Sequence, residues 1–407
     1  MTDGEILQGQ NIICIGSANW DGLWVNAQHM MYRLAERNRV LYVESLGLRA
    51  PSIKSGADRG KILHRLRSFL QGRRKPYTDR ELYLFSPFVI PLYQYKAMYD
   101  INMSYLRYRL KRETAALEMT NPLLWLFLPT GAGLIGQMQE SGIVYYCVDD
   151  YSRNPGAPAR IIEFLEKQIM QKADLVFTTS PALYEDKQRW HKHTYYTPNA
   201  ADTQIYAAEQ NSGTPVPGDI KNIPAPVLGF IGNITGYKID FKLLRNAATL
   251  RPGWNFVLIG PVGEGDPQTD ISALDGLPNV HLLGRREKEQ LPAYVSRFDI
   301  GLIPYRLNAS TRASFPMKFY EYLAAGLPVV STRLHALADY EARPELCSLV
   351  DDAGGLIAAV ETYLAENGHK DSRRAEAEKY DWTGRLQFVS DKIRKHIKQP
   401  RQNLVSE

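Results

Sequence analysis

Two doubly wound α/β domains are what this sequence predicts, on three observations: its length, two successive series of short apolar runs, and a polar break between them. The chain has 407 residues, and at roughly 100 to 200 residues per domain that is two domains, each able to bury its own core. Runs rich in β-branched, leucine and aromatic residues occur at 11–15, 40–43, 82–85, 123–127, 143–147, 175–178 and 194–196. A second series follows at 227–231, 255–259, 280–283, 300–303, 328–331 and 346–350. Helical patterns lie between the runs, as in parallel sheets covered by helices. Gly, Pro, Ser and Asn cluster at 208–226, where periodicity is lost. The predicted division is therefore 1–205, 206–380 and a C-terminal helix at 381–407, which either packs back on the N-terminal domain or lies on the surface.

Composition narrows the function classes. Hydrophobic residues make up 44% and charged residues 23%, as in ordinary globular proteins. No apolar run reaches the roughly 18 residues a spanning helix needs, and the N-terminus has neither the basic start nor the apolar middle of a secretory signal. The expectation is a cytoplasmic protein, peripheral on the inner face of the membrane if it meets one. Cys14, Cys147 and Cys347 lie far apart without metal-ligand spacing, which predicts buried reduced thiols. Net charge is +5, but residues 49–112 carry fifteen Lys and Arg against four Asp and Glu.

In open α/β sheets ligands bind beyond the carboxyl ends of strands. The first run leads into Gly16-Ser17-Ala18-Asn19-Trp20-Asp21-Gly22, whose small residues allow close approach. In the second half, the run ending at Ile231 leads into Gly232-Asn233 and then a helix starting near Asp240. Gly232 and Asn233 are expected to aim backbone N–H groups at a diphosphate. The loop is not GxGxxG, no acidic residue follows at the dinucleotide distance, and no Walker lysine is present, so nicotinamide and P-loop readings are disfavoured.

The most informative stretch runs from Ser314 to Val330, SFPMKFYEYLAAGLPVV. Lys318 and Glu321 are three residues apart and project from one helical face. A lysine there neutralises phosphate and a carboxylate accepts ribose hydroxyls; the alternative for such a spacing is a solvated ion pair. Leu323 to Ala325 bury the helix, Gly326 ends it and Pro328 opens the next strand.

This segment resembles the donor-binding element of GT-B glycosyltransferases, the group 1 and glycosyltransferase 4-like superfamily. The resemblance continues in Pro198-Asn199-Ala200-Ala201-Asp202, similar to a Pro-Asn-Gly-x-Asp hinge, in Asn279-Val280-His281-Leu282-Leu283-Gly284, and in Phe298-Asp299-Ile300-Gly301-Leu302-Ile303-Pro304-Tyr305. It implies two Rossmann-like domains facing each other across a cleft, with Lys318 on donor phosphate, Glu321 on ribose, Gly232 and Asn233 on the diphosphate, and Met317 and Tyr305 lining the pocket. Many retaining members carry a further glutamate eight positions before the ribose-binding one; here that position is Ala313. Pro316-Met317-Lys318 is instead similar to inverting enzymes of xanthan assembly and to teichuronic-acid-type transferases. The resemblance further implies a nucleotide-sugar donor, UDP preferred, a lipid-linked or glycan acceptor, and no metal or other cofactor, with Arg306 and Arg312 as helpers of Lys318. A sugar-nucleotide epimerase and an inactive sugar-nucleotide-binding scaffold are the competing readings.

Inversion needs a base for the acceptor hydroxyl. The run ending at Cys147 is followed by Asp149 and Asp150, two adjacent carboxylates at a strand's carboxyl edge. Asp150 is the first candidate base, Asp149 its orienting partner and Asp21 an outside candidate; an N-cap is the alternative role for this pair. Lys61 to Leu70 is basic and amphipathic, and Tyr99, Met103, Leu106 and Leu110 recur at helical spacing among arginines. Residues 61–112 are thus expected either to dock on an anionic bilayer or to form a packed helix with a solvated face. No nucleic-acid reading module accompanies the charge.

Overall fold

The computed structural model describes residues 5–48, 72–209, 215–266, 268–366 and 368–397. The chain divides into two compact units, Met1–Thr197 with Arg385–Glu407, and Pro198–Gly384.

The first unit is built on seven parallel strands: β1 (Asn11–Ile15), β2 (Arg39–Val43), β3 (Leu82–Phe85), β4 (Leu123–Leu126), β5 (Gly142–Cys147), β6 (Leu175–Thr178) and β7 (Thr194–Tyr196). Their order is β3-β2-β1-β4-β5-β6-β7, so the chain reverses direction across the sheet between β1 and β4. Strands covered on both faces read as continuous apolar runs rather than alternating ones, which is why IICI and LLWL are buried throughout. Register pairs Tyr146 with Phe177 and Phe177 with Tyr195, producing an aromatic ladder with centroid spacings of 5.6 and 5.9 Å. The C-terminal helix Trp382–His396 adds to this unit beyond Gly384. Leu386, Val389, Ile393 and Ile397, spaced three or four apart, are all buried. Ser390 Oγ accepts the Leu7 N–H at 2.9 Å, Tyr195 Oη and His396 Nε2 lie 2.7 Å apart, and Ile397 fills the space that a side chain at Gly142 would need.

The second unit carries six parallel strands: β8 (Val227–Ile231), β9 (Asn255–Ile259), β10 (Val280–Gly284), β11 (Ile300–Ile303), β12 (Val329–Thr332) and β13 (Cys347–Val350). Their order is β10-β9-β8-β11-β12-β13, the doubly wound arrangement with its reversal between β8 and β11. Glycines inside strands usually mark a close approach. A Cβ at Gly229 would lie 2.1 Å from the Phe298 ring and one at Gly301 2.4 Å from the Tyr322 ring, so both glycines admit aromatic rings flat against the sheet.

Composition drew the domain break between residues 205 and 206, whereas the compact units part between Thr197 and Pro198. The physical reason is the helix Thr203–Glu209: Ala201 N–H bonds Tyr380 O at 3.0 Å and Tyr206 is buried in the second unit's core. Among the described residues no helix is long and apolar enough to cross a membrane. Cys14, Cys147 and Cys347 are free and buried, and burial pushes all three thiols up.

Candidate functional site

At the reversal between β8 and β11 the second unit assembles three segments: the loop after β8, the loop after β11, and the start of the helix Lys318–Ala324. Strand β8 ends with the Ile231 N–H donating to the buried Tyr322 hydroxyl at 2.9 Å. Gly232 then adopts φ +146, a conformation that L side chains rarely take. Its N–H donates to Ile259 O at 2.9 Å. The expectation that this amide serves a diphosphate is therefore corrected: it is already committed to the sheet. What Gly232 supplies is space, because a Cβ there would sit 3.2 Å from Lys318 Nζ. Gly260 backs it, a Cβ at that position falling 1.9 Å from Gly232 O. Asn233 donates its side-chain amide to Glu264 O, and among the described residues Asn233 Oδ1 and Thr235 Oγ1 are buried without a hydrogen-bond partner.

Lys318 stands over this loop. Its Nζ donates to the Tyr305 hydroxyl at 2.9 Å and lies 5.1 Å from the Phe230 ring centroid and 5.3 Å from that of Tyr305. The Phe230 ring thus holds the ammonium by cation–π attraction and the Tyr305 hydroxyl holds it by a hydrogen bond, which leaves its other protons for a ligand. Tyr305 is itself fixed, since Thr332 Oγ1 donates to its carbonyl at 2.7 Å. Met317 is the half-buried residue preceding the helix. Arg312 is exposed, and Arg306 donates to Gly236 O at 3.0 Å, so the latter braces the β8 loop. The helix ends as its sequence dictates, with Gly326 at φ +80 and the Leu327 N–H returning to Tyr322 O.

Glu321 lies one turn beyond Lys318, half-buried, and burial raises its carboxyl to about 7, with Asp202 adding to the rise while Lys318, Lys288 and a hydrogen bond from Tyr206 oppose it. Asp202 in turn lies 3.6 Å from Lys288 Nζ. A carboxylate desolvated and flanked by cations accepts strong hydrogen bonds from hydroxyl donors. Tyr206 and Lys288 carried no signal in the sequence, because nothing in local spacing links either of them to the helix, which starts more than a hundred residues after Tyr206 and thirty after Lys288.

In the first unit the loop after β1 closes on itself. A Cβ at Gly16 would collide with the Tyr42 hydroxyl, which donates to Ala18 O at 2.8 Å. Asp21 is ion-paired with Arg74 at 2.7 Å, and Arg74 also reaches the buried Glu44 at 3.4 Å. Glu44 accepts from Trp20 N–H and Ser86 Oγ as well; it was not singled out in the sequence, where a lone glutamate after a strand carries no pattern. Asp150 accepts from the Ser152 N–H at 3.1 Å and Ser152 Oγ at 2.6 Å, and so caps the turn Tyr151–Arg153, while Asp149 accepts the Asp150 N–H. The capping role open for this pair in the sequence is thus present. Asp150 Oδ2 lies 3.6 Å from Arg153.

The basic stretch divides. Residues 49–71, with Lys61 to Leu70, lie outside the described residues. In the helix Lys96–Ala116, Met103, Leu106 and Leu110 are buried, and Tyr99 accepts the Gly133 N–H at 2.9 Å. That stripe is core, which corrects its reading as a bilayer-facing surface. The apolar side chains left exposed are others: Phe88, Ile90, Tyr95, Ile101 and Tyr108. Asn102 clips Ile90 beside the helix, donating to its carbonyl at 2.6 Å and accepting its N–H at 3.1 Å. Among the described residues no three His, Cys, Asp or Glu side chains group as a metal site would require.

Known proteins match both the architecture and its second unit. The family model described as Glycosyl transferases group 1 matches residues 225–366. The putative teichuronic acid biosynthesis glycosyltransferase TuaH of Bacillus subtilis (strain 168) is 32% identical over 233 residues, which cover 55% of this chain and 57% of that protein. The chain thus spans little more than half the length of this relative. Sucrose-phosphate synthase from Thermosynechococcus elongatus superposes with a TM-score of 0.68 at 17% identity, covering 95% of this chain and 98% of that one. Anabaena HepE in complex with UDP-glucose superposes with a TM-score of 0.62 at 15% identity, covering 95% and 99%. Residues 225–366, which hold the six-stranded sheet and its site, thus resemble the group 1 glycosyltransferases, and the two parallel sheets have the GT-B fold of these structures.

Proposed function

We propose that the chain transfers a sugar from a nucleoside-diphosphate donor, a UDP-sugar such as UDP-glucuronate or a UDP-hexose, to a lipid-linked or polysaccharide acceptor in bacterial exopolysaccharide or cell-surface glycan synthesis. The observation that carries this reading is the pair Lys318 and Glu321 beside the Gly232 loop at the β8/β11 reversal. Lys318 neutralises the diphosphate from its aromatic seat, and Glu321 accepts the ribose hydroxyls. Asn233 lines the diphosphate side with its side chain, and Met317 and Tyr305 border the pocket. UDP is favoured because a protein of the same fold was solved with UDP and with UDP-glucose, and a glycan product because of the relative's assignment to teichuronic acid biosynthesis.

The chemistry follows from charge. As the acceptor oxygen attacks the anomeric carbon opposite the leaving diphosphate, negative charge grows on the diphosphate, where Lys318 stabilises it. The acceptor hydroxyl loses its proton to Asp150, with Asp149 orienting that carboxylate and Asp21 the outside alternative. The outcome is inversion, in keeping with Ala313 at the position where retaining members have glutamate. No metal or other cofactor is assigned a role.

An anionic membrane surface is the proposed partner of the first unit. Ile101 and Tyr108 are each exposed by at least 60%, with Lys96, Lys111 and Arg112 exposed on the same helix. Apolar side chains among cations suit an interface with acidic headgroups, where a lipid-linked acceptor resides.

The test is incubation with UDP-glucuronate and UDP-glucose, each with and without a polyprenyl-linked saccharide. Acceptor-dependent release of UDP supports the reading. Conversion of donor alone into an epimer would replace it with epimerisation, and tight UDP binding without release in any combination would leave a scaffold.

A further inference from the structure

The first residues of the second unit touch the donor grip at two points. Asn199, buried, donates its side-chain amide to Phe315 O at 2.5 Å. Seven residues on, Tyr206, 6% exposed, hydrogen-bonds Glu321. Phe315 and Glu321 bracket the start of the helix Lys318–Ala324, so one short segment fastens both sides of the element that presents Lys318 and Glu321. The intervening residues are fixed as well: Ala200 and Ala201 are buried, Ala201 N–H bonds Tyr380 O, and Asp202 lies 3.6 Å from Lys288.

We infer that Tyr206 and Asn199 are positioning residues for nucleotide binding, Tyr206 by donating its hydroxyl to Glu321 and Asn199 by holding Phe315. This rests on the donor-site reading above. A carboxylate has about four lone-pair positions and two oxygens. With the Tyr206 hydroxyl on one of them, the carboxylate is turned so that the remainder face a ribose diol. The same bond favours the ionised form, the better acceptor, against the burial and the Asp202 charge that oppose it. The charged and titratable groups around Glu321 are Lys318 and Tyr322 on its own helix, Asp202 and Tyr206 from the unit's first residues, and Lys288 from the turn Lys288–Gln290.

The experiment measures UDP affinity of the full-length protein across pH 6 to 9 for wild type, Tyr206→Phe, Asn199→Ser and Glu321→Gln, with thermal unfolding as the folding control. Tyr206→Phe keeps the buried ring and removes one oxygen. It is expected to weaken UDP binding about tenfold near pH 7, as for loss of a hydrogen bond to a charged group, and to move the midpoint of the pH dependence upward. The loss shrinks toward pH 9, where Glu321 is ionised with or without the hydroxyl. Titration of UDP itself is common to both proteins and cancels in the comparison. A loss equal at all pH values would mark a merely structural role and overturn the proposal, as would affinity within twofold of wild type. Asn199→Ser is expected to weaken UDP about equally at every pH, because it moves the helix start without touching the carboxyl; unchanged affinity overturns its part. Should Glu321→Gln bind UDP like wild type, the donor-site reading itself falls; should Glu321→Gln lose affinity while Tyr206→Phe does not, only the positioning role falls.

Discussion

Lys318 Nζ donates to the Tyr305 hydroxyl at 2.9 Å while resting about as close to the Phe230 ring as to the Tyr305 ring, at 5.1 and 5.3 Å from their centroids. A lysine stem is otherwise free to rotate, and holding its ammonium before a ligand arrives removes an entropic cost from binding. Lys318→Ala is expected to weaken UDP binding by about 2 kcal/mol, roughly thirtyfold, as for loss of a charge-assisted bond. Tyr305→Phe, which keeps the ring face, should weaken it several-fold less. Calorimetric titration with UDP checks both, and equal affinities for wild type and Lys318→Ala would remove Lys318 from the site.

Glu321 makes stability and binding respond to pH in opposite senses. Its folded-state value of about 7 lies above the ordinary 4.5. Between those values the folded chain holds the extra proton, so stability declines as pH rises, and above about 7 the cost of a buried charge is fully present. Glu321→Gln should therefore raise ligand-free stability at pH 8 by on the order of 2 kcal/mol and leave it unchanged near pH 4. UDP affinity should fall in wild type as pH drops through 7 and lose that dependence in Glu321→Gln. Thermal melts and titrations at paired pH values measure the two effects.

Gly232 combines φ +146 with a Cβ position 3.2 Å from Lys318 Nζ. Gly232→Ala is expected to cost about 1 to 3 kcal/mol of stability from backbone strain and to displace the ammonium, so that UDP affinity falls beyond the loss of folded protein. A variant that melts and binds like wild type would contradict both.

Asp150 caps its turn through Oδ1, which asparagine can imitate. Asp150→Asn should keep the fold and UDP affinity yet lower the transfer rate by a factor of about 10² to 10⁴, the usual contribution of a general base. Transfer within threefold of wild type would pass the role to Asp149 or Asp21.

Membrane docking predicts retention on vesicles containing phosphatidylglycerol and weaker retention on phosphatidylcholine alone. Replacing the exposed Ile101 and Tyr108 by glutamine should lower retention on the acidic vesicles. Retention unaffected by either lipid charge or these substitutions would refute this face as the contact.

Strand series, glycine punctuation and the Lys318 to Glu321 spacing were legible by themselves, because they depend on local periodicity and on residues a few positions apart. Apolar runs alternating with helical patterns announced parallel sheets covered by helices, and Gly326 with Pro328 announced a helix stop followed by a strand. The tertiary structure alone decided what long-range packing decides. It committed the Gly232 amide to β9, turned Met103, Leu106 and Leu110 inward while leaving Ile101 and Tyr108 exposed, and joined Arg385 to Ile397 to the first unit. It also brought Tyr206 and Lys288 to Glu321. Periodicity reports which residues share a face, but which face is covered, and which distant side chain meets it, follows only when the elements pack and each buried polar group takes its partner.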